Sequence, residues 1–393
     1  MNSSYVSLFD HSVTAMPIQV SEQPAAISIA PEPVAPPTPP PTPPLVTASP
    51  VQDGPSWRSR TFAQTLDRTG VVAAARVANR LRSVPILVLG YHRVWDSADE
   101  AFPYDLNLIS CDRQAFRRQM QFVARHYDPI SLADLSRALD NEVTLPARPA
   151  IVTFDDGYED NYTHAFPILR ELGLPATMFV STGYIGGTET FWFDRVCQIV
   201  LANPGATLEI GRETCTVPPD RLARRQLVQR VLRSLKRYSN TERLAILARL
   251  ESRLGAATGP SHTAYSRPMN WDQIREMAAE GIEFASHTVT HPVLATCTDA
   301  ELEFELRDSW QTLKSELGIA PTSISYPVGG NTAFDSRVVE ATRAAGYRIA
   351  ASYVHAINRL ETLDRFAIRR IHVERYHDDS YFSAMLEFPH MFR

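Results

Sequence analysis

Cysteine is scarce and scattered: Cys111, Cys197, Cys215 and Cys297 show no CxxC spacing. That argues against a disulfide framework and a structural zinc site, and it permits a reducing compartment. No apolar run approaches the roughly 20 residues that cross a bilayer. The opening MNSSYVSLFDHSVTAMPIQV lacks the basic n-region and continuous apolar core of a secretory leader, so the expected location is the cytoplasm. Charge excess is also missing. With 39 Lys and Arg against 44 Asp and Glu, the net charge of −5 does not suggest a nucleic-acid partner.

What is present is length and ordinary globular composition. The 393 residues are 44% hydrophobic and 21% charged, and could hold one large α/β domain of roughly 250 residues. Thirteen of the 29 prolines fall within residues 17–55, around PEPVAPPTPPPTPP. Residues 1–55 are therefore expected to form a disordered, polyproline-like tail. Residues 56–83 carry six arginines and one aspartate and form a basic helical lead-in. Its apolar face is expected to pack on its own domain, with peripheral contact to an anionic membrane surface as the alternative.

From residue 84 the pattern alternates between β and α. Strands are expected at 84–91, 150–154, 175–181, 282–286, 322–327, 347–353 and 366–373, with helices at 112–127, 161–173, 299–318 and 334–346. About seven strands separated by helices predict a parallel α/β barrel, closed or nearly so, with an open doubly wound sheet as the alternative. Residues 190–260 break the rhythm and read as a helical insertion in a domain covering 84–393. Within it, 221–237 hold seven Arg and Lys. They are expected to form a solvated helix face, with a groove for an anionic polymer or a lipid headgroup as the alternative.

Ligands of parallel α/β folds gather at the carboxyl ends of the strands. His92 follows the first strand, Asp155 and Asp156 follow the second in FDDG, and His287 and His291 follow the fourth in SHTVTHP. Two adjacent buried carboxylates call for a cation. The H-x-x-x-H spacing predicts two imidazoles on one face of a helical turn, within reach of one ion. Two histidines and one aspartate make a three-ligand site with an open position, the arrangement of hydrolytic metal centres. The second aspartate, pointing elsewhere, is free to act as a base.

TFDDGY followed by SHTVTHP resembles the polysaccharide deacetylases of the NodB-homology type (carbohydrate esterase family 4), over roughly residues 84–373. The resemblance implies a distorted (β/α) barrel and hydrolysis of N-acetyl, sometimes O-acetyl, groups from a sugar polymer with one divalent ion, often zinc. It implies Asp155 as general base and Asp156, His287 and His291 as metal ligands. The R-x-P-Y motif of that family is departed from: SYPVGG puts Ser325 where the arginine stands and Val328 where the tyrosine does. This matches a YPxG variant of exopolysaccharide deacetylases and leaves Arg369 or Arg370 of the last strand to orient the base. The general acid is expected to be His92 in LVLGYH, as in the circularly permuted poly-N-acetylglucosamine deacetylase subgroup, with His372 in RRIHV as the alternative. A backbone N–H near Tyr326, Pro327 and Val328 is expected to meet the oxyanion.

The partner implied is a carbohydrate polymer or a lipid-linked or nucleotide-linked sugar precursor. A non-catalytic carbohydrate-binding relative and a metal amidohydrolase acting on a small cyclic amide are the competing readings.

Overall fold

Segments too short for independent helices, and mostly buried, form seven parallel strands. They are β1 (Leu87–Tyr91), β2 (Pro149–Phe154), β3 (Thr177–Val180), β4 (Glu283–Ser286), β5 (Ser323–Ser325), β6 (Ile349–His355) and β7 (Ile368–His372). Their order around the sheet is β1-β7-β6-β5-β4-β3-β2, and β2 pairs back with β1 from Leu87↔Ala150 to Tyr91↔Phe154. The sheet is thus a closed barrel and not an open doubly wound one. The computed structural model describes residues 54–79, 85–96, 102–187, 189–255 and 265–392. All but the last two residues of the expected Pro-rich tail lie outside these.

Twelve α-helices accompany the strands among the described residues. The lead-in gives α1 (Trp57–Arg68) and α2 (Val71–Asn79), two helices rather than one, because the chain turns at Gly70 with φ of 76°. Then come α3 (Arg113–His126), α4 (Leu132–Leu139) and α5 (Phe166–Leu172). The expected 161–173 helix opens as a π turn, Asn161–Ala165, just before Pro167, which has no N–H to continue the α pattern.

The segment between β3 and β4 contains α6 (Trp192–Ala202), the antiparallel hairpin Thr207–Ile210 and Glu213–Thr216, α7 (Arg221–Leu235), α8 (Asn240–Leu254) and α9 (Trp271–Ala279). Phe191, Val196, Leu208, Val228, Leu232 and Ile246 give it an apolar cluster separate from that of the barrel. Next come α10 (Asp299–Leu317), α11 (Ser336–Ala344) and α12 (Asp379–Glu387). No helix among the described residues is long and apolar enough to cross a membrane.

The period-two alternation of the strands decides what fills the barrel. Val88, Ile151, Phe179, Ala285, Ile349 and Ile368 form one buried apolar cluster inside it. Two residues further along their strands, toward the carboxyl end, stand Gly90, Thr153 and Arg370. A Cβ at Gly90 would lie 3.3 Å from the Tyr353 ring, a tight contact that favours glycine there. One step further along β1 and β2 are His92 and Asp155. Apolar filling therefore gives way to polar chemistry at one end of the barrel.

Candidate active site

Asp155 extends the β2 ladder by donating its N–H to Tyr91 O at 3.0 Å. The chain then turns through Asp156, with φ of 74°, and Gly157, with φ of 92°. A Cβ at Gly157 would stand 3.0 Å from Val180 Cγ1. The turn sends the two carboxylates to different partners. Arg370 grips Asp155 with two parallel bonds, Nη1 to Oδ1 at 2.7 Å and Nη2 to Oδ2 at 2.8 Å. Arg370 is itself fixed by Ser352 O at 2.8 Å and by the Ser325 hydroxyl at 2.9 Å. Ser325, at the position expected to have lost an arginine, receives an arginine from β7 instead. Arg369 faces solvent. Burial pushes the Asp155 carboxyl up, but the Arg370 guanidinium, helped by His287, outweighs it and holds the group well below the usual carboxylate range.

Asp156 faces His287 and His291. Its Oδ1 lies 3.7 Å from His287 Nε2 and 3.3 Å from His291 Nε2, and its buried Oδ2 has no hydrogen-bond partner among the described residues. The ligand atoms of all three lie within 4.8 Å of one another. The expected helical turn between the histidines is absent: 287–291 is a loop held by two left-handed residues, Thr288 at φ 69° and His291 at φ 57°. Side-chain and backbone bonds stabilise that shape. The Glu305 carboxylate accepts from Val289 N and Thr290 N, each at 2.8 Å, and Trp192 Nε1 donates to His291 O at 3.0 Å. His287 Nδ1 lies 2.7 Å from Ser325 O. Donating there leaves Nε2 with its lone pair toward Asp156. Burial pushes His287 down to about 4 and His291 down to about 3, the latter with Arg243 adding to the effect. Burial also raises Asp156. Neutral imidazoles beside an orphaned carboxylate oxygen fit a divalent ion.

These groups open onto a cavity of about 280 Å³, which His92, Tyr353, Val328, Trp192 and Phe193 also line. His92 Nε2 stands 3.9 Å from Asp155 Oδ2, and its Nδ1 is 3.5 Å from the Tyr353 hydroxyl. Its backbone is pinned by Ser110 Oγ, which accepts its N–H at 2.9 Å, and by Asn161 Nδ2, which donates to its carbonyl at 2.8 Å. Burial lowers its pKa. His372 is not on this cavity. It stacks on the Tyr353 ring at 3.7 Å and 6°, and it lines a different cleft with His355 and His377. In the SYPVGG loop, the Tyr326 N–H is already donated to Ala351 O at 3.0 Å and Pro327 has none. Val328, with φ of 64°, lines the cavity, and its N–H donates to no acceptor among the described residues.

Four of the five non-glycine residues with positive φ among those described are Asp156, Thr288, His291 and Val328. Such backbone costs about 1–3 kcal/mol each and gathers where function requires it. Sequence reasoning missed Glu305 and Tyr353. Only Glu305 left a trace, as a charged residue on the buried α10 stripe with Leu302, Leu306, Ser309 and Leu313.

A family model described as polysaccharide deacetylase matches residues 142–350, rather more than half of the chain. YxkH of Bacillus subtilis (strain 168), a protein named for the same class, is 21% identical over 72% of this chain and 72% of its own length. The poly-beta-1,6-N-acetyl-D-glucosamine N-deacetylase of Escherichia coli (strain K12) is 33% identical over 23% of this chain, but that match spans only 13% of the relative. The Streptococcus pyogenes deacetylase PplD, solved in complex with acetate, shares the fold with a TM-score of 0.51 at 20% identity, covering 76% of this chain and 97% of that one.

Proposed function

The chain belongs to the polysaccharide deacetylase family, and from that premise we propose that it is a metal-dependent hydrolase removing N-acetyl groups from amino sugars of a polysaccharide or its precursor. The observation that carries this reading is the pairing, within one cavity, of an Asp-His-His triad with a second aspartate gripped by Arg370. Asp156, His287 and His291 would hold a divalent ion, for which zinc suits the two-nitrogen, one-oxygen donor set, and which supplies the Lewis acidity that activates water and polarises an acetyl carbonyl.

The chain's own residues do the rest. Asp155, kept ionised and aimed by Arg370, takes the proton of the attacking water as general base. Val328 N–H donates to the developing oxyanion. His92, whose Nε2 stands 3.9 Å from Asp155 Oδ2, takes up the proton that Asp155 removed and gives it to the amine nitrogen as the C–N bond breaks, because an amide nitrogen leaves poorly without one. Tyr353 holds the His92 ring from its Nδ1 side.

A substrate panel tests this reading. Acetate released from N-acetylglucosamine oligomers, with none of the ring opening of a cyclic amide or ureide, supports it. Turnover of the cyclic amide alone, or tight oligosaccharide binding without acetate, contradicts it.

A further inference from the structure

The segment between β3 and β4 walls the cavity with a helix whose charges are not balanced. One stripe of α7 brings Gln229 and Leu232, and the residue capping its end, Lys236, onto the same cavity as the Asp-His-His triad. Some cations of this segment have partners, while others, the buried Arg243 among them, form no ion pair with a described carboxylate. Arg195 pairs with Glu251 at 2.6 Å, Arg253 pairs with Glu209, and Arg225 donates to the Tyr104 carbonyl at 2.9 Å. Lys236 and the exposed Arg233 and Arg237 beside it form no ion pair with any described carboxylate.

A lysine at a helix C-terminus ordinarily leans on the last carbonyls and stays in water. This one instead lines the cavity while keeping part of its exposure, which leaves its charge available to an anion that enters. Partial burial lowers its pKa. Two acidic groups face it across the space. Asp105 spends one oxygen on Asn107 N at 2.9 Å, capping a short turn, and Asp156 belongs to the triad. Glu374 also lines the cavity, and burial raises its pKa toward the neutral form.

We infer that the acetylated sugar carries an anionic group, a phosphate or a carboxylate, and that Lys236, flanked by Arg233 and Arg237, holds it while the acetyl group reaches the triad. This rests on the deacetylase reading and narrows its substrate to anionic amino sugars. Lys236 is a specificity-determining residue in this account, and the geometry gives it no part in the bond-breaking step.

The test compares acetate release from neutral N-acetylglucosamine trimer, from N-acetylglucosamine 1-phosphate and from N-acetylmuramic acid, in metal-loaded wild type, Lys236→Met and Lys236→Arg. In the wild type, kcat/KM favours at least one anionic substrate by about tenfold or more, the worth of one charge-assisted contact. Preference for the phosphate identifies a phosphate-linked precursor; preference for the carboxylate identifies an acidic polymer. Lys236→Met lowers the anionic-to-neutral ratio by about tenfold through KM, and Lys236→Arg restores most of it. A flat ratio in the wild type, or one that Lys236→Met leaves unchanged, overturns the inference.

Calorimetric binding of N-acetylglucosamine 1-phosphate and N-acetylmuramic acid to Asp155→Asn, with and without Lys236→Met, separates this inference from the reading beneath it. Anion binding that depends on Lys236, with no acetate from any sugar, would overturn the deacetylase reading and leave the anion site standing. Acetate release with anion binding indifferent to Lys236 would do the reverse.

Discussion

Asp155 and Arg370 are both buried, and a buried pair is worth more for the geometry it fixes than for stability. Arg370→Met leaves a carboxylate in the barrel without its cation. It should lower stability by about 3–5 kcal/mol in urea unfolding and cut acetate release by about 100-fold. Arg370→Lys should recover stability better than rate, because an ammonium cannot grip both oxygens. Asp155→Asn should keep the metal and lose most turnover, whereas His287→Ala and His291→Ala should lose both, as read by metal content and acetate release. The histidines also set a pH signature. In the metal-free protein they stay neutral down to about 4 and about 3, against an ordinary 6.5 in the unfolded chain. The unfolded state therefore binds more protons in that window. Stability should be full above 6.5, fall as the pH drops below it, and be lost through about 4 and then about 3. A urea midpoint that stayed level from pH 7.5 to pH 4.5 would contradict the burial of these rings.

The histidine loop shows how far residue spacing carries and where it stops. H-x-x-x-H identified the two imidazoles, but their convergence comes from left-handed backbone at Thr288 and His291, held by Glu305 of α10 and Trp192 of α6. Those contacts cross between elements, and no local pattern encodes them. The strands were legible because parallel strands buried on both faces read as short apolar runs. Arg370 was one of two candidates, and the inward alternation of β7 selects it over Arg369. The sequence favours His92 over His372 as general acid, and the Tyr353 ring lying between them leaves His92 on the cavity and His372 on a different cleft. Helix α12 went unread because seven of the nine residues of DSYFSAMLE are buried, Ser383 and Glu387 among them, so its polar residues do not mark a solvent face. Glu305→Gln should loosen the loop without touching the ligands. Metal affinity should fall about 10- to 100-fold, with turnover recovered at high metal concentration. Unchanged affinity would remove Glu305 from the account.

At the scale of the molecule, the barrel is fastened away from the site. The Glu387 carboxylate on α12 receives Arg148 Nη2 at 3.2 Å, Arg76 Nε at 3.1 Å and the Tyr127 hydroxyl at 3.1 Å, joining the C-terminal helix to α2, to the end of α3 and to the start of β2. Glu387→Ala strands Arg148 in the interior and should cost about 3–5 kcal/mol in urea unfolding while metal content stays unchanged. Fastening and chemistry are thus separable: one set of buried ions closes the barrel and another equips its carboxyl end. The central claim is that this end is a metal-dependent deacetylase site with Asp155 as its base. The most direct measurement is acetate release from N-acetylated amino sugars by metal-loaded, chelator-stripped and Asp155→Asn protein, side by side. Release from the loaded wild type, lost on stripping, restored on reloading and lost in a metal-retaining Asp155→Asn, is the predicted result. Equal release from the stripped protein, or normal release from Asp155→Asn, would contradict it.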